Sequence, residues 1–153
     1  MSIDQRLAEL GITLPEPSAP VAAYVPAVEA NGLLHISGQI SFAEDGSLIK
    51  GRLGEDVDLD AGIAAARRCG VMLLAQIKAA LGSLDRVERI VKLGVFVSSA
   101  PQFTDQPKVA NGASELMQDV FGEPGRHARS AVGVAALPLG VSVEVDAIVA
   151  VKA

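Results

Sequence analysis

Apolar residues recur at helical spacing in two long segments of the chain. The first segment runs from Leu59 to Leu81, with Asp58 placed to cap its first turn and Gly82 placed to end it. The second segment follows Pro107, which suits a first helical turn because the N–H that proline lacks is not needed there. The predicted buried positions are Leu59, Ile63, Ala66, Leu73, Leu74, Ile77 and Leu81 in the first segment and Val109, Ala113, Leu116, Met117 and Val120 in the second. This pattern predicts two amphipathic helices.

Alternating residues and turn residues predict the strands. Asn31-Gly32 separates residues 22–30 from residues 33–38 and favours a type I′ turn, so these segments are predicted to form a β-hairpin in which His35 faces Val28. The remaining predicted strands are residues 90–98, 129–136 and 141–151. We expect the last two of them to pair as a closing hairpin.

The predicted elements follow the order hairpin, helix, strand, helix, hairpin. This order is typical of an α+β fold in which helices cover one face of a single sheet. Residues 1–20 are predicted to form an N-terminal extension, made of a short helix from Ser2 to Leu10 and a proline-rich arm from Leu14 to Pro20. Residues 21–153 are predicted to form one domain.

Each strand of the predicted closing hairpin has an apolar face that suits a core beneath the helices. These faces consist of Val132, Val134 and Ala136 on one strand and Val143, Val145, Ala147, Val149 and Val151 on the other. Because side chains alternate along a strand, Arg129 and Glu144 are predicted to lie together on the opposite face. That face is otherwise small and apolar, with Ala131, Gly133, Ala135, Ile148 and Ala150. Since no other segment is left to cover it, we expect a second subunit to do so.

Arg129 and Glu144 are the two residues whose placement points to chemistry. A partly buried arginine holds a planar carboxylate through two parallel hydrogen bonds. A partly buried glutamate exchanges protons with a water molecule or a substrate. The same two residues are equally compatible with a structural ion pair, so both interpretations stay open at this point.

Composition narrows the classes of function. Half of the 153 residues are hydrophobic, only 3% are aromatic, and the net charge is −5. No cluster of lysine and arginine is long enough to follow a phosphate backbone, so neither nucleic acid nor an anionic membrane surface is expected as a partner. The single cysteine, Cys69, excludes an intrachain disulfide and is expected to be a small buried hydrophobe. The single cysteine fits a reducing compartment, so we expect a cytoplasmic protein. We expect no bound metal, since no His, Cys or Asp cluster has metal-ligand spacing.

Three segments of the chain carry a family resemblance. Residues 128–138 followed by residues 143–148 resemble the C-terminal signature of the Rid (reactive intermediate deaminase, or YjgF) family, and residues 37–40 resemble its first-hairpin signature. The resemblance extends from about Tyr24 to Val151. It implies a chorismate-mutase-like α+β fold and a homotrimer with three sites at subunit interfaces.

The resemblance also implies roles for individual residues. Arg129 is similar to the arginine that binds the substrate carboxylate, and Glu144 is similar to the acidic residue that orders the reacting water. The other residues that the resemblance places at the pocket are Tyr24, Ser37, Gly38 and Asn111.

Two departures from the family's common pattern fall beside Arg129. Ala131 stands where many members carry cysteine, and His127 stands where proline is frequent. Because His127 precedes Arg129 by two residues, it is predicted to point into the same pocket. There it is either a proton shuttle or, as we favour, a strand-edge or interface histidine without a chemical role.

Together these residues imply a hydrolase. The resemblance implies that small enamines or imines of the 2-aminoacrylate or 2-imino acid type are converted to a 2-oxo acid and ammonia, without a cofactor. The partners would be a small carboxylate substrate and further copies of the chain. Two other classes stay open: a non-catalytic trimeric protein that binds small carboxylates or serves a stress-related interaction, and an endoribonuclease, which the acidic composition disfavours.

Overall fold

The computed structural model describes residues 1–17 and 22–153. Within them three α-helices and five β-strands follow one another along the chain. The elements are α1 (Ile3–Glu9), β1 (Ala27–Ala30), β2 (Leu33–Ile40), α2 (Leu59–Leu81), β3 (Val87–Ser98), α3 (Gln106–Phe121), β4 (Ala128–Val134) and β5 (Val143–Val151). The helices α2 and α3 cover one face of the sheet, so the predicted α+β architecture is confirmed.

The two long helices have the ends that the sequence predicts. Asp58 caps α2, since its side chain accepts a hydrogen bond from the backbone N–H of Ala61 at 2.8 Å. Gly82 ends the helix with a left-handed φ of 81°, which glycine adopts without a steric penalty. Pro107 lies in the first turn of α3. Cys69 is buried within α2, as predicted, and its burial raises the pKa of the thiol.

The N-terminal segment packs against the helices. Ser2 caps α1, and Leu7 is buried in the core of the domain. The predicted short helix is thus confirmed. Nζ of Lys78 on α2 lies 3.1 Å from Oδ1 of Asp4, and this ion pair links α1 to the domain. The arm predicted over residues 14–20 is described as far as Pro17; its last residues and the predicted boundary after residue 20 lie outside the described residues.

One five-stranded sheet has the order β1-β2-β5-β3-β4. The predicted first hairpin is confirmed, with Asn31 and Gly32 both at positive φ and Val28 opposite His35. The predicted closing hairpin is wrong, because β3 lies between β4 and β5. β4 pairs parallel to β3, and this pairing needs a crossover, which α3 supplies. β5 instead pairs antiparallel with both β2 and β3.

The facing of β4 is the reverse of the predicted one. Leu93 and Val95 of β3 are buried beneath the helices, and their parallel partners on β4 are Arg129 and Ala131. Arg129 therefore lies on the helix-covered face, whereas Val132, which was predicted to be in the core, is 45% exposed on the other face. The prediction for β5 is correct, since its alternate valines are buried. Arg129 and Glu144 consequently do not share a face.

The uncovered face of the sheet, called the open face below, keeps part of its predicted apolar character. Ala131 and Gly133 lie on the other face, but Ile148 and Ala150 lie here. The apolar positions that β3 and β4 add to it include Phe96, Val132 and Val134.

No helix in the described part of the chain is both long and apolar enough to cross a membrane.

The two long helices approach closely at Gly112 of α3. A Cβ atom at this position would collide with the backbone carbonyl of Ile63 and lie 3.1 Å from the backbone nitrogen of Arg67 on α2. Both contacts are to backbone, so no side chain can rotate out of the way. The absence of a side chain at Gly112 thus permits the helix crossing that sets the position of α3 over the sheet.

Gly112→Ala is expected to destabilise the fold. Overpacking of this kind costs about 1–3 kcal/mol, which outweighs the gain of up to about 1 kcal/mol that alanine brings to a helix interior. Glu115→Ala, at an exposed position on the same helix, is the matched control and should stay within about 0.5 kcal/mol of the parent. Chemical unfolding of both variants checks this. Equal stability of Gly112→Ala and the parent would contradict the close crossing.

Candidate active site

The structure divides the predicted site residues between the two faces of the sheet. One group, called the arginine cluster, lies at the helix-covered face and consists of Asn111, Ser114, His127 and Arg129. The other, called the carboxylate cluster, lies on the open face and consists of Ser37, Gly38, Glu144 and Asp146. Because the sheet separates Arg129 from Glu144, the alternative of an ion pair between them within one chain is wrong.

Arg129 is half-buried beneath the first turns of α3. Its Nη1 donates to Oδ1 of Asn111 at 2.8 Å and to Oγ of Ser114 at 3.1 Å, and its Nη2 donates to the carbonyl of Pro107 at 3.3 Å. These three residues are four and three positions apart, so they share one face of the helix. The helix thus offers the guanidinium a row of acceptors that no strand neighbour provides.

These bonds leave one edge of the guanidinium open. A guanidinium has five N–H donors, and three of them are occupied by α3. Neither Nε–H nor the second hydrogen of Nη2 has a partner within residues 1–17 and 22–153. Nε and Nη2 form the edge of the fork that grips a carboxylate with two parallel hydrogen bonds. The cluster is therefore arranged to hold a carboxylate.

His127 contacts Arg129 through Ser114. Its Nε2 lies 2.8 Å from Oγ of Ser114, and its Nδ1 lies 2.6 Å from the carbonyl oxygen of Gly125. Burial lowers the pKa of His127, the Gly125 carbonyl partly opposes this, and the charge of Arg129 lowers it further. Ala131 lies two residues beyond Arg129 on the same face and packs against the core.

A β-bulge builds the carboxylate cluster. Ile36 pairs with Ala147 and Gln39 with Val145, so Ser37 and Gly38 together oppose the one residue between these partners, Asp146. The bulge brings the backbone of Gly38 against the side chain of the neighbouring Glu144. A Cβ atom at Gly38 would lie 2.5 Å from Oε2 of Glu144, so this position accepts no side chain while the carboxylate stays where it is.

Both carboxylates of this cluster are half-buried, and burial raises the pKa of each. The neighbouring Asp146 raises the pKa of Glu144 further, because two nearby negative charges repel. For Asp146 the effect of burial is opposed by the backbone N–H of Gly94 and by the charge of Lys92. Glu144 thus has an environment that brings its titration closer to neutral pH, as suits a group that exchanges protons.

Ser37 ties the segment that carries Tyr24 to the carboxylate cluster. Its Oγ donates to the carbonyl of Val25 at 2.9 Å, and its backbone N–H donates to the carbonyl of Pro26 at 2.9 Å. Tyr24 itself is 57% exposed, so in a single chain it is not a wall of an enclosed pocket.

Neither of two cavities formed by the described residues contains both clusters. A groove of about 450 Å³ on the open face is lined by Lys92, Phe96, Asp146 and Ile148, among others, and does not contain Arg129. A cavity of about 600 Å³ lies between the N-terminal arm and α2 and contains none of the predicted site residues.

Sequence reasoning missed Ser114 and assigned no role to Asp146. Ser114 could have been found from helical periodicity, since it lies one turn after Asn111. Asp146 shares the face of Glu144 by simple alternation. Among the described residues, no three His, Cys, Asp or Glu side chains converge as metal ligands would.

Comparison with known proteins agrees with this fold and these motifs. Residues 4–149 match the family described as "YjgF/chorismate_mutase-like, putative endoribonuclease". The Protein TCP17 of Trypanosoma cruzi is 54% identical over 144 residues, which cover 94% of this chain and 90% of that protein. The crystal structure of Atu1372, a protein of unknown function from Agrobacterium tumefaciens, is 48% identical with a TM-score of 0.90, over 99% of this chain and 94% of that one.

A more distant relative carries the name of an activity. The 2-iminobutanoate/2-iminopropanoate deaminase of Dermatophagoides farinae is 26% identical over 142 residues, covering 92% of this chain and 95% of that protein. The family match over nearly the whole chain, the high identity to these relatives and the shared fold all agree with the motifs at both ends of the domain. This chain therefore belongs to the YjgF, or Rid, family.

Proposed function

We propose that this protein hydrolyses small imines, and the enamines that tautomerise to them, which carry a carboxylate next to the C=N carbon. The observation that carries the proposal is the Arg129 guanidinium, which α3 holds while its Nε–H and one Nη2–H have no partner among the described residues. This edge fits a planar carboxylate. The relative from Dermatophagoides farinae is named for two substrates of this class.

The site would combine groups from two copies of the chain. Within one chain the sheet lies between Arg129 and Glu144. In a ring of three copies, which the family resemblance implies, the carboxylate cluster of one copy would meet the arginine cluster of the next. The apolar Phe96, Val132 and Ile148 on the open face support such an assembly, because a second copy would cover them.

The proposed reaction divides between the two clusters. Arg129 would hold the carboxylate and so fix the adjacent C=N carbon in place. Glu144 would take a proton from a water molecule as the water oxygen bonds to that carbon, and its raised pKa suits this task near neutral pH. The nitrogen would receive that proton, which gives a carbinolamine. The hydroxyl proton of the carbinolamine would then pass through Glu144 to the nitrogen, the C–N bond would break, and ammonia would leave as the oxygen becomes the carbonyl of a 2-oxo acid.

The first expectation concerns assembly. Light scattering at micromolar concentration should give three times the mass of the chain, because the open face and the two half-sites need partners. Dilution should show whether activity is lost as the trimer dissociates. A monomer that turns over imines at full rate would contradict the shared site.

The second expectation concerns Arg129→Lys, which should lose most activity while the fold survives. Lysine keeps the charge but lacks the planar fork that makes two parallel hydrogen bonds. Ammonia release from freshly generated imino acids, together with a thermal melt, measures both effects. Arg126→Lys is the matched control, since this neighbouring guanidinium is largely exposed and should be replaceable without loss. Normal turnover by Arg129→Lys would show that Arg129 does not anchor the substrate.

The third expectation concerns Glu144→Gln, which separates an enzyme from a carboxylate-binding protein. Turnover should fall about 10²–10⁴-fold, the usual contribution of a positioned acid or base. Carboxylate binding should be kept, because Arg129 is intact and a nearby negative charge is gone. Stability at neutral pH should also be kept, since the raised pKa of Glu144 means that its charged form is the less favourable one in the fold.

The control for this variant is Glu88→Gln, an exposed position on β3. Single-turnover hydrolysis and thermal melts on the same preparations give the comparison. If Glu144→Gln hydrolyses imines as fast as the parent, the water is not activated by Glu144. If the parent binds carboxylates but turns over no imine, the protein is a binder.

A further inference from the structure

We infer that His127 and Ser114 form a relay that holds Arg129 in the orientation needed to grip a carboxylate, which makes both of them positioning residues. The relay runs from the Gly125 carbonyl through the imidazole of His127 and the hydroxyl of Ser114 to Nη1 of Arg129. The inference rests on the proposed function in that the gripped group is the substrate carboxylate.

The hydrogen bonds allow one arrangement of protons around the neutral imidazole. The Gly125 carbonyl can only accept, so Nδ1 of His127 carries the proton that is donated across 2.6 Å. Nε2 then has a lone pair, and the Ser114 hydroxyl donates to it across 2.8 Å. The lone pairs of Ser114 Oγ are left to accept from Nη1 of Arg129 at 3.1 Å. One tautomer of His127 thus fixes the hydroxyl of Ser114 as an acceptor for the guanidinium.

Protonation of His127 would oppose this arrangement. An imidazolium donates from both nitrogens, so the hydrogen of Ser114 would have to leave its place on Nε2. Oγ of Ser114 would then lie beside two cationic donors, His127 and Arg129. Its own hydroxyl hydrogen would need a different acceptor. Burial and the charge of Arg129 both lower the pKa of His127, which keeps the ring neutral and the relay intact near pH 7.

The charged groups on the elements around His127 do not offset the effect of Arg129. They are Glu88, Arg89 and Lys92 on β3, Glu123 and Arg126 in the turn before β4, and Lys108, Glu115 and Asp119 on α3. Oε2 of Glu123 lies 4.0 Å from Nη1 of Arg126, and Nη2 of Arg89 donates to the backbone carbonyl of Arg126. No carboxylate of the described residues lies within 4.0 Å of a ring nitrogen of His127, so no acidic side chain there stabilises an imidazolium, and the Gly125 carbonyl opposes the effects of burial and Arg129 only in part.

Four variants test the relay. Ser114→Ala removes the hydroxyl, and His127→Phe removes both ring nitrogens. His127→Gln is the conservative variant, because its amide has a donor and an acceptor but does not titrate. Glu115→Ala, exposed beside Ser114, is the matched control.

Side-chain NMR tests the relay without any ligand. At about pH 7.5 we expect the His127 ring as the Nδ1–H tautomer and separate Nη signals for Arg129, since its guanidinium is held from rotating. The separate signals should merge in Ser114→Ala and His127→Phe and persist in His127→Gln and Glu115→Ala. An Nε2–H tautomer, or Arg129 signals that no variant changes, would overturn the relay.

Pyruvate, a simple 2-oxo carboxylate, probes the grip of Arg129 as a function of pH. The ordinary pKa of a histidine is 6.5 and that of His127 is lowered, so pyruvate affinity should be constant above pH 6.5 and fall only below it. The fall should be absent in His127→Gln. Glu144 and Asp146 also gain protons in acid, but the loss of their negative charge would strengthen the binding of an anion. A fall that persists unchanged in His127→Gln would contradict the inference.

Steady-state kinetics separate positioning from chemistry. In Ser114→Ala the KM for an imino acid should rise about tenfold, the effect of losing one hydrogen bond to a charged group, while kcat changes less than about twofold. Unchanged KM in both Ser114→Ala and His127→Phe would count against the relay. If the parent protein neither binds pyruvate nor hydrolyses imines, the proposed function fails, and the Arg129 signals in NMR still decide the relay.

Discussion

The parallel pairing of β4 with β3 is the constraint on which the candidate site depends. A parallel neighbour needs a crossover, and α3 provides it, so the first turns of this helix come to lie above the first half of β4. Arg129 thereby gains three acceptors on one helix face and keeps an open edge. In a hairpin with β5, the same arginine would have lain on the open face with no helix above it. Gly112 contributes to this placement by allowing α3 to approach α2.

The packing of the open face depends on two glycines. Gly38 and Gly94 have no Cβ, and the carboxylates of Glu144 and Asp146 occupy the space that a side chain would take. This close packing half-buries two acidic groups beside each other, and it raises the pKa of both. Such a pair is costly in an isolated chain, where Lys92 is the cation that acts on Asp146. The open guanidinium edge and the acidic pair are therefore complementary in charge, which is the physical basis for the site that we propose is shared between copies.

Most of the fold was predictable because it rests on local patterns. The ends of α2 follow from Asp58 and Gly82, and the first hairpin follows from Asn31-Gly32, since caps and tight turns act within a few residues. The placement of the last two strands was not predictable in this way. Short connections favour a hairpin, and only the competition among all strands for partners puts β3 between β4 and β5. The facing of β4 was predicted from its alternate apolar residues Val132 and Val134, whereas its alignment with β3 puts Arg129 and Ala131 beneath the helices.

The sequence by itself determined which residues are candidates for the chemistry: the motif around Arg129, the acidic position Glu144 and the small residues at Ser37 and Gly38 are visible as local patterns. The tertiary structure decided how these residues are combined. It put Arg129 and Glu144 on opposite faces of the sheet, made Ser114 and His127 neighbours of the guanidinium, and made Asp146 and Gly94 neighbours across two strands. The reason is that hydrogen bonds and burial depend on contacts between residues far apart in the chain. Asn111 and Ser114 meet Arg129 only because a helix crosses above its strand, and that crossing is a property of the whole sheet.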